Sequence, residues 1–256
     1  MDILFDSVSF VGAGNVATHL AQNLKKHGVS IYSITSKENH TAKVLASLVD
    51  AKVLEDLSFL PSKCLVIICV NDEGIESVIQ KLPMTNSIVY TSGNIELKSL
   101  PKRANLGVFY PLQSFTKDRD LNLANVPFLI EANNELFGQQ IFNLALKLSD
   151  HVLYANSEER KKIHLGAVFV NNFTNHLLYL SKEYVDSKQL NWDILKPLLQ
   201  ETIDKLNSVE PFDAQTGPAR RNDTKIIQNH LQELEGRTKE IYELISNSIV
   251  ETYQSK

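Results

Sequence analysis

The chain has 256 residues, a formal net charge of −4, 43% apolar and 22% charged residues, the profile of an ordinary folded protein with room for two domains. Neither half carries a basic arm, which argues against nucleic acid or an anionic membrane surface as the main partner. No run of about 18 apolar residues is present to span a membrane.

The opening MDILFDSVSF lacks the basic flank and long apolar core of a secretory signal, so a cytoplasmic protein is expected. VSFVGAG (8–14) predicts a strand closed by glycines, and NVATHLAQNLKKHG (15–28) a helix with lysines in its last turn and Gly28 as its stop. VSIYSIT (29–35) predicts a second strand, and 40–49 a second helix. CLVIICV (64–70) is the most continuous apolar run and reads as a central parallel strand covered on both faces. Its two cysteines, Cys64 and Cys69, read as buried thiols in a reducing compartment, not as a disulfide or a metal site. A helix follows from Asn71–Asp72 to Leu82, then strands at 87–93, 106–111, 126–132 and 151–155, with a helix at 134–148 between the last two.

Such alternation predicts an α/β fold with a Rossmann-type, doubly wound, mostly parallel sheet over residues 1–155. After Ser157 the pattern changes: a broad apolar stripe runs for about 30 residues without proline, longer than an average helix. Further helices are predicted around 191–208, 223–235 and 237–254, so residues 156–256 form an all-helical domain.

Gly12-Ala13-Gly14-Asn15-Val16-Ala17 fits G-x-G-x-x-A between a strand and a helix. Gly12 permits the tight turn, Gly14 lets a pyrophosphate approach, and Ala17 keeps the helix close to the sheet. The helix N-terminus, with Asn15 and Val16, presents N–H groups to the phosphates. The ribose reader belongs about 20 residues later. Thr35-Ser36-Lys37 stand there, and a hydroxyl with an ammonium suits the 2′-phosphate of NADP; Glu38, one step on, leaves NAD open. Val70 and Asn71, at the exit of the central strand, are expected beside the cofactor, as is Ser92, which with Gly93 is expected on the wall of the cleft that holds the nicotinamide.

Polar residues interrupt the long helix at Lys161, Lys162, His164, Asn171, Asn172, Asn175 and His176. Buried, they must pair; otherwise they face a wet cleft. His164 is a candidate proton donor to a substrate oxygen or nitrogen, or else a satisfied interdomain histidine. A metal site is not expected, since no His pair has i, i+4 spacing and no carboxylate cluster accompanies the histidines. The loop TGPARRND (216–223) offers Arg221 as a bidentate clamp for a carboxylate or phosphate, with Arg220 a solvated neighbour. Alternatively Asp223 caps the next helix and the arginines pair with Glu210, Asp213 or a partner subunit.

VGAGNVA, CVND, YTSGN, FYPLQSF, IHLGAVFVNNF and TGPARRND together resemble a family of oxidoreductases that pair a Rossmann-like domain with a helical domain of unknown function. These are distant relatives of pyrroline-5-carboxylate reductase, ketopantoate reductase and the deazaflavin-dependent NADP oxidoreductases. The resemblance implies a helical domain like the carboxyl-terminal one of 6-phosphogluconate dehydrogenase, NADP binding, and dimerisation through the helices. It matches His164, Asn172, Gly217, Pro218, Arg221, Asp223 and the Pro111-Leu112-Gln113 segment to family motifs. Tyr110 stands where the family usually has histidine, and Asn222 where it has glycine.

Two functions remain open. One is a reductase in which NADPH reduces a small anionic oxo- or imino-acid in an interdomain cleft, with His164, Asn172 and Arg221 at the chemistry. The other is a non-catalytic NADP-binding sensor or scaffold.

Overall fold

The computed structural model describes residues 5–254, so the first four residues of the amino-terminal segment lie outside the described residues. The chain forms two compact units, Met1–Asn172 and Phe173–Lys256.

In the first unit, eight strands among the described residues form one sheet: β1 (Ser7–Val11), β2 (Ile31–Thr35), β3 (Lys52–Val53), β4 (Cys64–Ile68), β5 (Ser87–Tyr90), β6 (Leu106–Pro111), β7 (Phe128–Ala132) and β8 (Val152–Tyr154). Their spatial order is β3-β2-β1-β4-β5-β6-β7-β8. Each pairing is parallel except that of β6 with β7. The chain order therefore reverses between β1 and β4, and a crevice opens at the carboxyl ends of strands at such a point.

β4 explains itself by alternation. Leu65 and Ile67 point into a core shared with α1 (Asn15–Lys26), α2 (Asn39–Val49) and α4 (Glu135–Leu146). Cys64, Val66 and Ile68 point into the opposite core, shared with α3 (Asp72–Lys81). All five side chains are fully buried, which is why this strand reads as unbroken apolar sequence. Buried Arg103 finishes α3: its guanidinium donates to the carbonyls of Ile79, Leu82 (2.9 Å) and Pro83 (3.0 Å) at the helix C-terminus, adding to the backbone bonds that Ile79 and Pro83 accept from Leu82 N and Asn86 N.

β6 and β7 are joined by a long loop fastened back onto α1. Asn15 Nδ2 donates to the Phe115 carbonyl (2.9 Å), and His19 Nε2 lies 2.9 Å from the Thr116 carbonyl. The loop also buries Leu123 and Val126. After β8, Asn156 opens α5 (Ser157–Ala167) with a capping box that includes Glu159. A π-helical segment, Val168–Phe173, follows.

The second unit contains α6 (Thr174–Ser187), α7 (Lys196–Lys205), the short α8 (Pro211–Ala214), α9 (Thr224–Glu233) and α10 (Gly236–Gln254). Its small core gathers Ala219, Ile227 and Leu231 against Tyr242, Ile249 and Val250. Among the described residues, no helix is long and apolar enough to cross a membrane.

Candidate functional site

Gly12 leaves β1 with φ +115° and donates its N–H to the Thr35 carbonyl (2.7 Å). A Cβ there would fall 2.2 Å from the Cys69 carbonyl oxygen, so both the dihedral and the space demand glycine. Gly14 differs: nothing lies within 4 Å of where its Cβ would be. It is the N-cap residue of α1 and offers no side-chain hydrogen bond, so the first N–H groups of the helix are left for a ligand beside an open backbone. Asn15 gives its side chain to the loop, leaving its backbone for that role, and Val16 packs against the core.

Beside this turn lies a cavity of about 760 Å3 lined by Gly12, Ser36, Lys37, Glu38, Val70 and Asn71, together with Lys81. Ser36 Oγ accepts from Glu38 N (3.3 Å) and lies 3.2 Å from Thr41 Oγ1, whose one hydrogen also faces the Glu38 carbonyl (2.8 Å). Neither Lys37 nor Lys81 has an ion pair among the described residues. Glu55 and Asp56 also line the cavity. Glu55 accepts from Asn39 (3.2 Å), and hydrogen bonds from Ser58 hold the Asp56 carboxyl below its ordinary range. Lys81, at the end of α3, carries no sequence signal beyond an ordinary helix-terminal lysine. Cys69 lines the same cavity, and burial pushes its thiol up to about 12, so it is a packed thiol and not a nucleophile.

Ser92 does not line this cavity. It is buried, and its Oγ accepts from the N–H groups of Asn94 (3.0 Å) and Ile95 (3.1 Å), closing the turn after β5. The next residue, Gly93, carries the His164 ring: a Cβ at 93 would meet His164 Nδ1 at 2.6 Å and Cγ at 2.7 Å. From the other side, Tyr110 Oη lies 2.8 Å from the same Nδ1, with the rings edge to face. Burial raises the Tyr110 phenol, against the opposing charge of Arg160, so it stays protonated. His164, Tyr110, Gln113, Ser114, Asn171 and Asn172 line an open cavity of about 460 Å3, together with apolar side chains such as Ile163 and Val170. The wider π-helical turn brings both asparagines to this cavity. Its lining holds no carboxylate, ammonium or guanidinium.

The neighbouring cations are committed elsewhere. Arg160, with no exposed surface, pairs with Glu131, which also accepts from Ser157 Oγ (2.8 Å). Lys161 pairs with Glu96 (2.5 Å) and Lys162 with Glu158 (2.6 Å). Sequence reasoning missed Tyr110 as the partner of His164, because residues 54 positions apart carry no mutual spacing signal.

In the second unit, loop 216–223 turns through Gly217 (φ +99°) and Asn222 (φ +54°), so Asn222 takes up the left-handed geometry for which glycine is the usual choice. Asp223 caps α9 by accepting from Ile226 N (3.2 Å). Arg220 is not the solvated neighbour expected: it lies over the Tyr253 ring, 4.5 Å from its centroid, with Nη1 buried. Arg221 is exposed, and neither arginine has an ion pair with Glu210 or Asp213.

An open α/β sheet with a glycine turn at its reversal point, followed by a helical unit, defines a Rossmann-type oxidoreductase architecture. A family model described as "NADP oxidoreductase coenzyme F420-dependent" matches residues 7–90, and one described as "Domain of unknown function (DUF2520)" matches 126–249. A Bacteroides fragilis protein described as a putative NADP oxidoreductase is 36% identical, with 98% of this chain and 100% of that chain covered and a TM-score of 0.88. The chain belongs to that protein's family of Rossmann-type NADP oxidoreductases. Two more distant structures share the fold. A reductive aminase from Aspergillus terreus in complex with NADPH and ethyl-5-oxohexanoate is 12% identical over 97% of this chain and 94% of that one, with a TM-score of 0.71. An imine reductase from Myxococcus stipitatus in complex with NADP+ is 9% identical over 97% and 93%, with a TM-score of 0.66. A search of curated proteins finds no match.

Proposed function

We propose that the protein is an NADP-dependent reductase of a small oxo or imino compound, an oxo- or imino-acid foremost, with His164 as its proton donor. One observation carries the cofactor assignment: Gly12 is forced against Cys69 while Gly14 and the uncapped start of α1 stay open beside a cavity holding Ser36, Lys37 and Lys81. That arrangement fits a pyrophosphate at the helix N-terminus and a 2′-phosphate between a hydroxyl and two ammonium groups that have no ion pair among the described residues. Bound NADPH supplies a hydride. The chain's own part is to hold the substrate oxygen or nitrogen where His164 can hydrogen-bond it, with Asn172 and Gln113 available to orient it. Arg221, exposed and without an ion pair among the described residues, is assigned to an anionic substituent of the substrate.

The helical region after residue 155 is assigned to substrate binding and to pairing with a second copy. Leu165 (60% exposed), Val170 (77%) and Leu244 (71%) support the pairing, because large apolar side chains so exposed are covered in a dimer. A non-catalytic NADP sensor is the second reading. The bonds from Asn15 and His19 favour it, since they tie the cofactor helix to the loop that carries Gln113.

The deciding experiment is a titration with NADPH and NADH, followed by nicotinamide fluorescence, on wild type, Lys37→Ala and Gly14→Asp. Micromolar NADPH binding, weakened by about tenfold in Lys37→Ala and lost in Gly14→Asp, is expected. No binding of either nucleotide by the wild type sinks both readings. Binding without reduction across a panel of oxo- and imino-acids favours the sensor.

A further inference from the structure

The hydrogen bond between Tyr110 and His164 decides which atom of the imidazole can act, and on which kind of ligand. Tyr110 Oη carries one hydrogen, and its hydrogen bond among the described residues is to His164 Nδ1. A half-buried hydroxyl that gives its hydrogen to no acceptor loses about the worth of one hydrogen bond. The phenol hydrogen therefore belongs on the line to Nδ1, and a neutral imidazole that accepts at Nδ1 carries its own hydrogen on Nε2. Gly93 supports the ring from beneath and leaves it no room to swing. Nε2 has no partner among the described residues, and His164 lines the cavity with Gln113, Asn171 and Asn172.

We propose that Tyr110 is the positioning residue of this site, locking His164 as the tautomer whose Nε2–H donates into the cavity. The inference deepens the reductase reading and rests on it for its chemical meaning. A cavity with a fixed donor and no carboxylate, ammonium or guanidinium among its lining residues takes a group that presents a lone pair: a carbonyl oxygen, or the nitrogen of an unprotonated imine. It disfavours a protonated iminium, whose nitrogen presents a hydrogen and a positive charge and finds no counter-ion among the lining residues. The geometry thus singles out ketones and aldehydes as the first substrate class to screen. Tyr110 also explains how the ring keeps its place when it gains a proton at Nδ1, the step that must come before Nε2 can hand one to a substrate. A phenol oxygen accepts from Nδ1–H as readily as its hydrogen is donated to bare Nδ1.

The test is ring 15N spectroscopy of the free protein, correlating each imidazole nitrogen with the ring hydrogens at a pH where His164 is neutral, with His164→Gln used for assignment. Wild type is expected to show Nδ1 as the bare nitrogen and Nε2 as the protonated one. In Tyr110→Phe the ratio of the two tautomers should relax by about fivefold, as expected for the loss of one hydrogen bond. Thermal unfolding of both proteins shows whether the variant is folded. Should it not fold, Tyr110→Trp and the wild-type tautomer alone still decide. A protonated Nδ1 in the wild type, or an unchanged ratio in a folded Tyr110→Phe, overturns the proposal. The same samples titrated with NADPH separate the two ideas: a wild type that binds no NADPH removes the reductase reading and leaves the tautomer result standing.

Discussion

His164 lies on the backbone of Gly93, so closely that a methyl group at position 93 would meet its Nδ1 at 2.6 Å. The side chain that matters and the residue that must have none are thus a matched pair, contributed by α5 and by the turn after β5.

Gly93→Ala should therefore displace the imidazole without touching the glycine turn. We expect about 1–3 kcal/mol of destabilisation from overpacking and a loss of reductase turnover of about 10²-fold or more. NADPH affinity should stay within about twofold. Urea unfolding and fluorescence titration of one preparation check both; equal losses of affinity and turnover would refute the pairing.

Gly12→Ala tests a different kind of strain. A left-handed dihedral and a Cβ 2.2 Å from a backbone oxygen cannot both be relieved by moving a flexible side chain. About 2–4 kcal/mol of stability should be lost, with a lower urea midpoint at unchanged slope. A variant as stable as wild type would show that the turn is looser than its contacts imply.

Glu131→Ala removes the carboxylate that Arg160 and Ser157 share. Arg160 has no exposed surface, and Glu131 has only 17% of its side chain exposed, so the stranded guanidinium should cost about 3–5 kcal/mol. Replacing both residues with apolar ones should recover part of that loss. If the single variant is nearly neutral, water reaches Arg160.

Cys69 gives the alkaline limb of stability a named contributor. Its thiol is raised from 9.0 to about 12 by burial, so the folded state keeps a proton that the unfolded chain releases. Between those values the unfolded state binds fewer protons. Stability from this group, fully present below pH 9, should then fall by about 1.4 kcal/mol per pH unit as pH rises towards 12. Cys69→Ala should flatten that slope relative to wild type; parallel curves would count against it.

Much of this architecture was legible because its signals are local. VGAGNVA states the strand, the turn and the helix within seven residues, and β4 declares burial on both faces through five apolar residues in a row. β3 was missed, since two residues carry no periodicity, and so was the reversal of β6 against β7, whose loop has no hairpin signature. At the candidate site the limits are similar. His164 stood out as a polar residue in an apolar helix. The facing of Lys161 and Lys162 depended on Glu96 and Glu158, and the role of Arg103 on carbonyls 20 and more positions away. Such pairings are products of topology.

The fastened β6–β7 loop also marks where the chain can be lengthened. Phe115 and Thr116 are held to α1 on one side, and Leu123 and Val126 are sunk into the core on the other. Only the stretch from Asp118 to Asp120 between these moorings is exposed throughout. Doubling the length of a free loop costs only about 0.6 kcal/mol, so a short epitope or fluorophore-acceptor peptide spliced in there would ride on the surface while both ends stayed moored. The same peptide placed two residues earlier would pull Thr116 off His19, and would register in the cofactor helix.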